Sequence, residues 1–172
     1  MTLSRLAPLL LTLSASALAG GAGGPAVSAP AASAPVNGCV SGFVQPSPAA
    51  LTRALAAAQA RWKASGLRAY SYTFDQIAQP VRFPPTRIEV SGRAVRATAL
   101  GEGDPSVYAR KASVEGLFGF IRDSIAFART EPCAELKVAY ARDGHPLSLS
   151  LERRDLNIAD GGGSWTVSGF KR

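Results

Sequence analysis

The chain has 172 residues, a formal net charge of +7, 47% hydrophobic residues and 18% charged ones. That length leaves room for one domain with one core and not for two, once a low-complexity N-terminal stretch is set aside. Its basic residues are scattered, with pairs but no run of five, which excludes a basic tail, and two cysteines without a CxxC spacing beside one histidine exclude a structural zinc or dithiol redox motif.

The first elements belong to export. Arg5 gives a short positive region, residues 6–19 (LAPLLLTLSASALA) form an apolar run without charge, and Ala17-Leu18-Ala19 is a small-x-small cleavage site. The run is roughly 14 residues where a bilayer-crossing helix needs roughly 20, so it predicts a cleavable signal peptide over 1–19 and no transmembrane anchor. A buried core helix is the alternative. A lipid anchor would need a cysteine after the small residues, but Gly20 and Gly21 stand there and the first cysteine is Cys39. The expectation is a periplasmic or secreted protein of bacterial type. Residues 20–46, dominated by Gly, Ala, Pro and Ser, read as a disordered linker that carries Cys39, and residues 47–172 as a single α+β domain. In an exported chain the even count favours a Cys39–Cys133 disulfide, worth about 4 kcal/mol by loop closure, over two unpaired thiols.

From residue 47 the pattern alternates between helical and extended. Ser47-Pro48 opens a helix whose stripe is Leu51, Leu55, Ala58 and Trp62, and Gly66 stops it. Tyr70, Tyr72 and Phe74 alternate with polar residues as a half-buried strand. Residues 79–85 are broken by three prolines. Residues 87–90 and 94–100 form two strands around the Ser91-Gly92-Arg93 turn, followed by a loop to Ser106. Ser113 starts a second helix burying Val114, Leu117, Phe118, Ile121, Ile125 and Ala128, which Glu131-Pro132 ends. Leu136, Val138 and Tyr140 mark a strand, Asp143-Gly144-His145-Pro146 a turn, and Leu147, Leu149 and Leu151 its antiparallel partner. After a Gly- and Asp-rich loop comes a last strand, facing inward with either Trp165, Val167 and Gly169 or Thr166, Ser168 and Phe170. The order is α-β-β-β-α-β-β-β. It predicts an antiparallel sheet of about five to six strands with one face covered by both helices, and two halves that share a pattern.

Several of these pieces recur together in a known family. Arg61-Trp62-Lys63-Ala64-Ser65-Gly66 followed by Tyr70-Ser71-Tyr72 resembles an RW…G…YxY opening, and Ser113-Val114-Glu115-Gly116-Leu117-Phe118 resembles a TVExLF helix start. Val138-Ala139-Tyr140 with Gly144-His145-Pro146 resembles a VxYD…GYP hairpin, and Ile158-Ala159-Asp160 with Trp165 to Phe170 a closing IADDE…V…F segment. In this order, from about Leu51 to Phe170, they resemble the exported bacterial family catalogued as domain of unknown function 6174. The resemblance implies an envelope or extracellular location and an α+β fold, and no activity. The sequence departs from the family pattern by lacking a Cys-x-Cys over residues 75–79, by Ala141 in place of an acid, and by His145 in place of an aromatic residue before proline.

Catalytic readings are few. Asp143 and His145 with Ser148 or Ser150 would make a triad only if the base reached both partners, which a sequential set on one hairpin rarely achieves. Asp143, His145 and Asp160 form the one polar cluster worth following. Asp155 and Asp160, or Glu102 and Asp104, could pair as glycosidase carboxylates, but each pair sits in a Gly-rich loop where solvated turn acids are common. Gly161-Gly162-Gly163 lacks phosphate-loop spacing. Tyr70, Tyr72, Phe74, Trp62 and Trp165 could line a pocket, yet their spacing suits a core. No catalytic, cofactor-binding or metal site is assigned. The expected function is a non-catalytic module that binds a protein or envelope component, without specific nucleic-acid binding. A hydrolase using His145 and weak polyanion binding are the alternatives.

Overall fold

The structure is a computed structural model and describes residues 38–155 and 162–172. Helix α1, Pro48–Ser65, begins where the Ser47 hydroxyl accepts a hydrogen bond from the Ala50 N–H at 3.3 Å, with Pro48 in the first turn. It ends at Gly66, whose N–H donates to the Lys63 carbonyl. Helix α2, Val114–Thr130, is capped by Ser113, which accepts from the Gly116 N–H at 3.0 Å. Its buried side chains are the six of the predicted stripe, and α1 buries Leu55, Ala58 and Trp62. Both helices thus form where spacing and caps agree.

Seven strands form one sheet: β1 (Ala69–Ala78), β2 (Val81–Arg82), β3 (Thr86–Ser91), β4 (Ala94–Ala99), β5 (Ala134–Tyr140), β6 (Pro146–Arg153) and β7 (Gly163–Lys171). The order across the sheet is β4-β3-β1-β7-β6-β5, and β2 pairs only with β1. Every pairing is antiparallel. The expected count of five to six strands is exceeded by β2, a two-residue piece that folds back on the end of β1 inside the proline-broken stretch. Each half of the chain lays down a three-strand meander, and β1 of the first meets β7 of the second along the middle of the sheet.

Helix α2 links the two edges, leaving β4 on one side and returning as β5 on the other. The segment 100–113, with a short 3-10 turn at Ala109–Lys111, brings the chain from β4 to β1, where the Val114 N–H meets the Tyr70 hydroxyl, and α2 carries it on to β5. Between helices and sheet lie Tyr70, Tyr72, Phe74, Ile88, Val90, Leu136, Leu149, Trp165 and Val167, all buried. The open face is polar, with Ser71, Thr73 and Asp75 on β1 alternating with the buried set.

Strand β7 resolves its two possible facings by using both. Trp165 and Val167 are buried, and then the β1–β7 register shifts between Ser71 and Thr73, with Gly169 at φ +60°. The inserted residue returns Phe170 to the core side, stacked on Tyr70 at 5.4 Å and Tyr72 at 6.0 Å.

Cys39 and Cys133 are disulfide-bonded, with Cα atoms 5.3 Å apart. Around this bond Cys39 bridges Asp155, the Val40 N–H donates to the Arg154 carbonyl at 2.8 Å, and the Gln45 amide donates to the Ala128 and Glu131 carbonyls at 2.7 and 3.2 Å. Residues 38–46, grouped with the linker on composition, thus belong to the ordered domain, because the bridge and these bonds hold a segment with few side chains to bury. Residues 1–37, with the signal-peptide reading and most of the linker, lie outside the described residues. Among the described residues no helix is long and apolar enough to cross a membrane.

Candidate functional site

Asp143 and His145 come together as the sequence suggested. The tight turn into β6 places the Asp143 carboxylate 2.6 Å from His145 Nδ1 and 3.3 Å from the His145 N–H, and Arg172 donates to its other oxygen at 2.7 Å. Partial burial pushes the Asp143 carboxyl up, but the Arg172 guanidinium, the His145 N–H and the imidazole outweigh it and hold the group below its ordinary value. The His145 ring, 7% exposed, lies flat on Phe170 with centroids 4.1 Å apart and edge-on to Trp62. This explains how histidine fills the aromatic slot before Pro146. Neither Ser148 nor Ser150 completes a triad: both alternate with buried Leu149 on β6, and the Ser150 hydroxyl donates to Glu152. Asp160 lies outside the described residues. The Asp155 carboxylate is held by Arg153 at 2.6 Å. Among the described residues no group of three or more His, Cys, Asp or Glu side chains could hold a metal ion.

The tyrosines are structural as well. The Tyr70 hydroxyl accepts from the Val114 N–H at 2.9 Å and donates to Glu115 at 3.3 Å, and Trp62 Nε1–H donates to the same carboxylate at 2.9 Å. The Tyr72 hydroxyl donates to the Ala112 carbonyl. Burial raises both phenols far above their usual range, so they remain protonated donors that tie β1 to the start of α2. Trp62, Tyr70, Tyr72 and Phe74 are therefore core, as their spacing indicated.

Trp165 belongs to the same core and also borders a cleft of about 370 Å³ between α2 and the ends of β1, β6 and β7. Phe120 and Phe127 of α2, Tyr108 of the preceding segment, and Leu149 and Leu151 of β6 complete its apolar wall. Tyr108 packs edge-on against Phe120 with centroids 5.3 Å apart, and both Tyr108 and Phe127 are exposed. Gln76 is buried and accepts from the Ser106 hydroxyl at 2.6 Å. Ser124 adds a hydroxyl, and Asp123 is the one charged side chain of the lining. Chemically this is an apolar slot with a few polar groups, without a nucleophile–base pair.

Sequence reasoning missed this cleft. The signal was in α2, where Phe120 and Phe127 lie outside the core stripe and seven residues apart, on a second apolar face. Nothing local announced that β6 and β7 would supply the opposite wall.

Residues 54–172 match a family of unknown function, DUF6174. No curated protein matches the chain, and no solved structure does. The matched span takes in α1 from its second turn, α2 and the whole sheet, and the chain belongs to the family of unknown function DUF6174.

Proposed function

We propose that the protein is an exported, non-catalytic binding domain whose ligand seats in the cleft between α2 and the sheet. The observation that carries this reading is the cleft: its volume of about 370 Å³ falls within the range of about 300–1,000 Å³ usual for small-ligand sites, and its lining is aromatic and aliphatic with a few polar groups, as such sites require. Asp123 favours a ligand with an apolar body and a neutral or positively charged polar end. A hydrolase centred on His145 has less behind it, because Nδ1 of its ring is engaged by Asp143, the ring is stacked on Phe170 and edge-on to Trp62, and no hydroxyl joins them. Export is supported by the leader pattern and by the Cys39–Cys133 disulfide, which persists in oxidising compartments.

Titration with Nile red, a neutral dye that brightens in apolar surroundings, tests the reading. The wild-type protein is expected to give a saturable, blue-shifted signal. Ser124→Trp, which fills the cleft from a half-buried position on α2, is expected to lose that signal while its circular dichroism stays unchanged. An equal signal from the folded variant overturns the cleft as the binding site.

A further inference from the structure

The other flank of α2 has the opposite character. Here α1 and α2 run side by side, and the surface between them holds a cleft of about 660 Å³ lined by Lys63, Arg68 and Arg122. A smaller cleft of about 310 Å³ adjoins it through Arg68 and adds Arg93 from the β3–β4 turn. A third of about 340 Å³ adjoins it through Arg122 and adds Arg129. Five cations from four separate stretches of sequence therefore follow one groove. All five side chains belong to exposed residues.

Two features describe how this charge is balanced. Among the described residues the ion pairs use Arg82, Lys137, His145, Arg153, Arg154 and Arg172, and none of the five groove cations. The one carboxylate in the groove, Glu115, already accepts from Trp62 and Tyr70 and is anchored to the core by those bonds. Four other acids, Glu131, Glu135, Glu152 and Asp155, pair with Arg153 and Arg154 at the β5–β6 end. The groove therefore carries five cations against the single carboxylate of Glu115.

We propose that this α1–α2 groove binds a linear phosphate-bearing polyanion. The ligand must be extended, because Arg122 and Arg129 stand two turns apart on α2, about 10 Å along its axis, before Lys63, Arg68 and Arg93 are reached. Its anionic groups must lie on the chain itself, because the rings that line the groove, Trp62 and Phe118, are 6% and 4% exposed and offer no platform for stacking a base. A chain of inorganic polyphosphate fits this better than a single-stranded nucleic acid. Recognition is by counter-ion release, so binding weakens steeply with salt.

The test uses the full oxidised domain with three probes: inorganic polyphosphate, a single-stranded oligothymidylate of equal charge, and orthophosphate. Polyphosphate is expected to bind at low salt, at least as tightly as the oligonucleotide and far more tightly than orthophosphate. Lys63→Glu with Arg122→Glu is expected to weaken polyphosphate binding about tenfold or more, with a shallower salt dependence. The charge-matched control, Arg110→Glu with Arg142→Glu, changes two exposed arginines outside the groove and is expected to bind within about twofold of wild type, as a site-specific contact requires. Equal losses in both variants overturn the groove, as does a failure of the wild type to bind polyphosphate. Orthophosphate bound as tightly as the polymer overturns the extended ligand, and tighter binding of the oligonucleotide overturns the preference for a chain without bases.

Discussion

Gly144 shows how closely single residues fix the turn that carries Asp143 and His145. It adopts φ +97°, and a Cβ built on it falls on the Ala58 carbonyl oxygen and 2.7 Å from the Trp62 nitrogen. Both the left-handed conformation and the contact with α1 therefore require glycine, and Gly144→Ala is expected to destabilise the domain by about 2 kcal/mol or more in urea unfolding. Asp143 holds the same turn by charge. Its folded-state carboxyl lies below the ordinary value of 3.8, so the ionised form is the stabilising one. That contribution is fully present above 3.8 and is lost as pH falls through the folded-state value. Arg172 is 63% exposed and its pairing is screened by solvent, whereas the contacts to His145 are shielded. Asp143→Asn is expected to cost about 1 kcal/mol at neutral pH, with the gap to wild type closing in unfolding curves recorded below pH 3.8. The sequence placed Asp143 and His145 on one turn, which follows from their spacing. That the ring would stack on Phe170 was not legible, because the Gly169 bulge that brings Phe170 inward is set by pairing with β1, more than 90 residues earlier.

At the scale of elements, local chemistry announced what it controls. Ser47, Gly66 and Ser113 bound the two helices where the sequence placed them, since caps act within a turn of their own position. Six strands were legible because apolar and polar residues alternate along them, although β4 is only half-buried on its inner face and Leu147 of β6 is exposed. Strand β2 was not, because two exposed residues between Pro80 and Pro84 carry no period at all. The order of strands was hidden too: the β1–β7 pairing joins elements from the two ends of the domain, and no local pattern encodes it. The N-terminal segment is the element whose contribution is easiest to measure. Its disulfide closes a loop of sequence separation 94, and Gln45 caps two carbonyls at the end of α2. Cys39→Ser with Cys133→Ser is expected to lower stability by about 4 kcal/mol. Gln45→Ala is expected to cost about 1 kcal/mol and to speed amide exchange in the last turn of α2, measured by hydrogen–deuterium exchange.

At the scale of the whole molecule the decisive property is how the fold sorts residues the sequence leaves scattered. Lys63, Arg68, Arg93, Arg122 and Arg129 share one groove although no two are neighbours in the chain, while Phe120, Phe127, Leu149, Leu151 and Trp165 meet across the other flank of α2. Helix α2 thus separates an apolar slot from a cationic one. If residues 1–19 direct export, Cys39 and Cys133 meet an oxidising compartment before or while the domain closes, and the bond forms where it can persist. Produced in a bacterial host with these residues, the protein is expected in the extracytoplasmic fraction, starting near Gly20, with no thiol titratable in denaturant. Produced without them in a reducing cytosol, it is expected to show two titratable thiols and to unfold about 4 kcal/mol more easily until oxidised. Intact-mass spectrometry reads the N-terminus and the disulfide together. A chain that keeps Met1 and stays with the membrane would overturn cleavage, and a chain with free thiols in the exported fraction would separate export from the disulfide.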